Sequence, residues 1–218
     1  MKTFQLEGTP RETLGKKATK AVRRAGAIPA ILYGNAPVAL PYEGKLKPGE
    51  KLVEIEGNKG VVVTDFLVTI DAVRNLIYTP EVYLVELTLK DSKKVMAIIK
   101  DMQFQPVTDA VLHIDFVEIF EEKPIVIDVP VLLTGHAEGV KAGGKLSLEM
   151  RKLKVKGLYN NIPEKLEIDI TNLGLGKTIQ VGALHFDNME LVNAKNAVVC
   201  AVKLTRAARG AAAAAAGN

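Results

Sequence analysis

The chain has 218 residues, 48% of them hydrophobic, which allows one large or two ordinary packed domains and excludes global disorder. Lys plus Arg number 29 against 25 Asp plus Glu, a formal charge of +4, so nucleic acid is permitted as a partner but not required by the sum alone. One cysteine, Cys200, excludes an internal disulfide. With no apolar leader in Met1 to Glu12 and no apolar run near the ~18 residues of a membrane helix, the expectation is a cytoplasmic protein without a membrane partner.

The first predicted element is a helix over Thr13 to Ala25. Leu14, Ala18, Ala21, Val22 and Ala25 recur at three and four residues and predict one apolar face. Gly26 suits the helix end, with Pro29 just beyond. Between Gly15 and Gly26 stand five cations, Lys16, Lys17, Lys20, Arg23 and Arg24, and no acid. Phosphates attract such a surface, because binding releases condensed counterions. A solvated helix face accounts for the same charges about equally well on charge alone.

Short segments rich in Val, Ile, Leu and aromatics follow, punctuated by Gly, Pro, Asn and Asp. They predict strands at Leu67 to Ile70, Tyr83 to Leu89, Val95 to Ile99 and His113 to Phe120. Asp71 to Tyr78 reads as a helix, with Asp71 as cap and Val73, Leu76 and Ile77 on one face. The polar run Lys90-Asp91-Ser92-Lys93 predicts a hairpin turn. A spacing of two places His113 and Asp115 on the same side of their strand, with Ile114 and Phe116 in the core. Taken alone, His113 is more often a structural histidine than a contact, and Tyr33 a strand residue with a wet tip.

Glu121-Glu122-Lys123-Pro124 marks a boundary. Beyond it, strands are expected at Ile125 to Leu133, Leu153 to Val155, Leu166 to Ile170 and Val198 to Leu204, with a glycine-rich loop at 139–144. The expected organisation is therefore 1–120, 121–205 and a disordered Ala-rich tail at 206–218. Leu173 to Thr178 ends like a phosphate loop, but the glycine required five residues before Gly176 is Thr171, so this stretch reads as a turn. His113, His136 and His185 are far apart and offer no metal-ligand spacing, so no metal or cofactor is expected. Cys200, among valines, reads as a buried inert thiol. No nucleophile elbow is present, and no catalytic residue is assigned.

Three motif sets carry a family resemblance. Gly15 to Gly26 followed by Ile28-Pro29-Ala30-Ile31-Leu32-Tyr33-Gly34 resembles the start of the bacterial large-subunit ribosomal protein twenty-five family. Asp101-Met102-Gln103, Pro106 and His113-Ile114-Asp115-Phe116 resemble the end of the same domain. Gly135, Gly139-Val140, Ala142-Gly143-Gly144 and Asn161-Ile162-Pro163-Glu164 resemble the long form, the general stress protein Ctc type.

The resemblance implies a mainly β fold with a few helices: an N-terminal six-stranded β-barrel, similar to an anticodon-binding domain of glutaminyl-tRNA synthetase, followed by a second mainly β domain. It implies a non-enzymatic constituent of the large ribosomal subunit that binds the loop E region of 5S rRNA, with neighbouring ribosomal RNA and proteins as further partners and no DNA. The family's RNA contacts fall on Arg11, Lys16, Thr19, Lys20, Arg23, Tyr33, Gln103, His113 and Asp115, with Arg24 and Lys17 beside them. On this reading Lys16, Lys20 and Arg23 position the RNA through phosphates. Thr19 bonds a sugar or phosphate, and His113 and Asp115 reach base edges or 2′-hydroxyls.

Two other readings stand beside it. One is a stress factor that joins ribosomes reversibly and has its main partner on the second domain; its presence or absence in salt-washed large subunits separates it from a permanent constituent. The other is an enzyme carrying an RNA-recognition barrel, which lacks any nucleotide-binding signature. Two departures from the family stand out: Pro41 to Gly60 is longer than in short members, so an extra hairpin or loop is expected there, and the C-terminal tail carries Arg206 and Arg209 in place of acids, so no role of an acidic tail carries over.

Overall fold

The computed structural model describes residues 2–11, 13–34, 38–39, 46, 50–55, 59–89 and 94–205. The expected turn at 90–93, the tail at 206–218 and most of the segment 41–60 lie outside these residues. The chain divides into two compact units, which meet at Lys123 and Pro124.

In the first unit, β1 (Lys2–Pro10), α1 (Lys16–Arg24), β2 (Ala27–Tyr33), β3 (Val38–Ala39), β4 (Glu50–Ile55), β5 (Lys59–Thr69), α2 (Ile70–Ile77), β6 (Tyr83–Leu89), β7 (Lys94–Phe104) and β8 (Val111–Glu118) follow one another. Six of these strands close a ring in the order β1-β6-β7-β8-β2-β5. The ring closes through Thr9 opposite Leu67 and Pro10 opposite Phe66. Closure satisfies both edges of every barrel strand, which an open sheet of this size would leave exposed. The pairs β1–β6 and β2–β8 are parallel and the other ring pairs antiparallel. β3 and β4 add to β5 outside the ring. Within the extra segment near 41–60, Leu46, Glu50–Ile55 and residues 59–60 are described, and β4 runs antiparallel to β5 from Glu50–Thr64 to Ile55–Lys59.

Period-two alternation fills the barrel. Leu6, Phe66, Leu87, Ile114 and Phe116 are all within 1% of complete burial, and the Phe66 and Phe116 rings meet at 5.6 Å. Helix α2 contributes Val73, Leu76 and Ile77 to the same core. Its N-cap is Thr69 and makes no side-chain cap bond, while Asp71 falls within the first turn, so Asp71 is not the cap. Gly8 has no room for a side chain, since a Cβ there would lie 2.7 Å from the Phe66 ring.

Helix α1 differs from its sequence reading. It starts at Lys16 because Gly15 has φ of 106°, a conformation that ends the helical run before Leu14 can join it. Leu14 is 51% exposed. Ala18 and Val22 are half-buried, Ala21 and Ala25 are exposed, and the helix has no fully buried residue. The apolar periodicity is real, but alanines bury too little area to seat the helix.

The second unit contains β9 (Ile125–Thr134), α3 (Glu138–Lys141), β10 (Lys145–Leu148), β11 (Lys152–Gly157), β12 (Leu166–Asp169), β13 (Thr178–Gln180), β14 (Met189–Leu191) and β15 (Val198–Lys203). Its sheets run β12-β9-β11-β14 and β10-β15-β13. The glycine-rich segment is not simply a loop. Its first part forms the short helix α3, because Gly139 and Gly144 allow backbone approaches that a Cβ would close to 2.6 Å at Gly174 and 2.5 Å at Val202. The 173–178 stretch is a turn with Gly176 at φ of 70°. Cys200 is fully buried, and burial pushes its thiol pKa up.

Two substitutions test this packing. Phe66→Ala is expected to cost about 3–5 kcal/mol in urea unfolding, from lost transfer energy plus a cavity inside a closed ring. Gly135→Ala is expected to destabilise the protein by more than about 1 kcal/mol in the same measurement. Gly135 has φ of 82°, and a Cβ there would sit 2.3 Å from Thr171 Oγ1.

Candidate nucleic-acid interface

Helix α1 is nine residues long, carries no acid in its first turn, and has Gly15 as N-cap with no side-chain cap bond. An isolated helix of that length is marginal in water. Lys16 and Lys17 sit at its positive end, and the pairs Lys16–Lys20 and Lys20–Arg24 repel at i,i+4 spacing by a few tenths of a kcal/mol each. Only Arg23 and Arg24 lie at the end the dipole favours. All five cations are exposed.

Two arginines hold this helix to the barrel. Arg11, just past β1, donates its backbone N–H to the Asp65 carbonyl at 2.9 Å. Its guanidinium donates to Thr19 Oγ1 at 2.7 Å and to the Thr13 carbonyl at 2.9 Å. Thr19 in turn donates its hydroxyl to the Gly15 carbonyl at 2.9 Å. At the other end, Arg23 donates Nε and Nη2 to the Leu112 carbonyl at 3.1 and 2.8 Å. That carbonyl belongs to a bulge in β8. Gln103 pairs with His113 and Phe104 with Val111, so Leu112 has no residue opposite it in β7.

The fork of Arg23 therefore ends one residue before His113. Register places the remaining polar residues beside it. Gln103 stands opposite His113 across β7–β8, and Asp115 stands opposite Asp101 on one side and Ile31 on the other. His113 and Asp115 alternate with the buried Ile114 and Phe116, so both face outward, and their side chains are each about one-fifth exposed. His113 Nδ1 lies 2.7 Å from Asp115 Oδ1; Oδ1 is shut from solvent and accepts no well-aligned hydrogen bond. The pair thus orients itself and leaves His113 Nε2 and Asp115 Oδ2 as its other polar atoms.

Tyr33, near the end of β2, is half-buried. Burial raises its pKa, and the carboxylates of Asp115 and Asp65 raise it further, so it keeps its proton and can donate. Lys100 lies over its ring with Nζ 5.7 Å from the centroid. Lys100 reaches there from a second bulge, since Ile99 pairs with Phe116 and Asp101 with Asp115. A cleft of roughly 600 Å³ separates the helix from the strand, lined by Lys16, Thr19, Lys20, Arg23 and Arg24 on one side and Ala110, Val111 and Leu112 on the other.

Every residue singled out in the sequence lies in the first unit, on α1, beside it at Arg11, or on the β2–β8–β7 wall. The arrangement can present cations to phosphates, and donors and acceptors to sugar hydroxyls and base edges. Sequence reasoning missed the Leu112 carbonyl, Lys100 and the cleft residues Gln105 and Ala110. Nothing in the sequence signals the two bulges that bring the first two into play. Among the described residues no cluster of three or more His, Cys, Asp or Glu could hold a metal, and no helix is long and apolar enough to cross a membrane.

Comparison with known proteins agrees along the whole chain. Residues 6–116 match the family model described as the Ribosomal L25p family, and residues 124–206 match that of Ribosomal protein TL5, C-terminal domain. The chain is 62% identical to the large ribosomal subunit protein bL25 of Porphyromonas gingivalis over 212 residues, 97% of this chain and 98% of that protein. The protein of the same name from Parabacteroides distasonis is 58% identical over 216 residues, covering 97% and 98%. That from Bacteroides thetaiotaomicron is 52% identical over 220 residues, covering 99% of each. The chain therefore belongs to the ribosomal L25p family, in the long form that carries a TL5-type C-terminal domain.

Proposed function

We propose that this chain is a structural, non-catalytic constituent of the large ribosomal subunit, and that its first unit holds 5S rRNA at the irregular loop E region. Membership of the family supports the ribosomal part of this reading. The observation that carries the RNA part is the contact of Arg23 with Leu112, which sets an exposed cationic helix directly beside the outward polar wall of Gln103, His113 and Asp115.

The chemistry divides between the two surfaces. Lys16, Lys20 and Arg24 are exposed cations without a demanding internal partner, suited to phosphates on either side of a groove. Tyr33, His113 and Asp115 are half-buried and Gln103 stands opposite His113 across the strands, so these groups suit partners fixed within the groove. A regular A-form minor groove is wide and shallow; non-canonical pairs change its shape and give these groups a surface to recognise. Arg11 and Thr19 already bond to each other, so Thr19 offers a ligand only its remaining acceptor capacity.

Binding of the full chain to a loop E fragment across a salt series tests the reading. The wild-type protein should bind the fragment more tightly than a regular duplex of equal length. Lys20→Gln should flatten the slope of log affinity against log salt by about 0.7–0.9, the loss of one phosphate contact. His113→Ala should leave that slope unchanged and cost roughly tenfold in affinity for the fragment, the value of about one hydrogen bond to a charged or polar group. Equal affinity for fragment and duplex would overturn the assignment.

A further inference from the structure

The residues attributed to RNA contact include two arginines whose guanidinium groups each already donate two hydrogen bonds within the protein. We infer that Arg11 and Arg23 are positioning residues: they clamp a lightly seated cationic helix to the barrel and so fix the spacing between the phosphate-facing lysines and the β8 wall. The inference rests on the proposed RNA-binding reading for its purpose, but its structural part stands on the free protein.

Three observations carry it. First, α1 has little apolar contact to hold it, since Ala18 and Val22 are only half-buried. It has no buried residue, no side-chain cap and no acid in its first turn, and its like charges repel along its length. Second, the two clamps act at opposite ends and on different elements. Arg11 fixes the first turns through Thr19 and Thr13, and is itself fixed to β5 through the Asp65 carbonyl. Arg23 fixes the last turn to β8 through two bonds to one carbonyl. Third, the acceptor lies at the β8 bulge, where Leu112 has no residue opposite it in β7, and it is one residue from His113. A two-pronged donor is what the site uses, and lysine has no such fork.

A phosphate ligand and an internal anchor ask different things of the same side chain. A phosphate-facing arginine contributes charge, which lysine keeps. An anchoring arginine contributes the fork and its length, which lysine loses. The number of phosphates neutralised, and so the salt slope, is set by the other cations if Arg23 and Arg11 are anchors.

The test uses the full-length protein with Arg11→Lys and Arg23→Lys. Hydrogen exchange of the α1 amides is measured in the free protein. Affinity for a 5S loop E fragment is then measured over a salt series, with Lys20→Gln as the comparison for a direct phosphate contact. The clamp predicts at least tenfold faster exchange across residues 16–24 in each lysine variant, with exchange in the β5 and β8 core unchanged. It also predicts about tenfold weaker RNA binding and a salt slope equal to that of the wild type. Wild-type exchange rates in both variants overturn the inference, as does a lysine variant that binds as tightly as the wild type. If the wild-type protein fails to bind the fragment, the RNA reading falls, and the exchange experiment still decides whether the arginines clamp the helix.

Discussion

The interface depends on a two-pronged hydrogen bond from one arginine to one backbone carbonyl. Arg23 reaches Leu112 with both Nε and Nη2, across 89 residues of sequence, and joins a helix with no fully buried residue to a strand that belongs to a closed ring. Without such a bond, the five cations of α1 would favour separation from one another and full hydration. With it, they are held beside a wall whose groups are fixed by register. The bond falls at the point where β8 carries one residue more than β7 matches, so that Leu112 has no residue opposite it in β7.

Rigidity on the other side of the cleft comes from barrel closure. A six-membered ring with Phe66 and Phe116 in contact at its centre leaves the outward residues of β8 and β7 no freedom to slip, since a shift of one residue would exchange His113 and Asp115 for Ile114 and Phe116. The two surfaces are thus built on opposite principles. The wall is preorganised by the core; the helix is held by a few polar bonds at its ends. An anionic groove that contacts both would relieve the repulsion within the helix while meeting groups that are already in place.

The parts of the fold that follow from period and composition were legible in the sequence. Tyr83 to Leu89, Ile125 to Leu133 and the face Val73, Leu76 and Ile77 announce themselves by alternation or by three-and-four spacing, and the structure has them as β6, β9 and the buried side of α2. Strand β1 mixes Lys, Gln, Glu and Gly among few apolar residues, and only Leu6 and Gly8 are buried, so its role in closing the ring leaves no local trace. Helix α1 was misjudged at its start because Leu14 fits the apolar spacing while Gly15 breaks the helix through its backbone. The candidate site residues are carried by the motifs and by the charge run between Gly15 and Gly26, and period adds only the shared side of His113 and Asp115. What the motifs could not show is how Arg11 and Arg23 divide their donors: an arginine that grips a carbonyl 89 positions away reads, in sequence, like one that waits for a phosphate.

Directed cleavage of 5S rRNA from two probes on the same protein tests the central claim most directly. The native thiol Cys200 is fully buried, so a single introduced cysteine at Lys17 or at Gln103 can carry a tethered hydroxyl-radical source. If the cationic helix and the β8 wall share one RNA groove, probes at the two positions cut the same short stretch of loop E, on its facing strands. Cuts in separate regions of the RNA, or cuts from one position alone, would contradict the account.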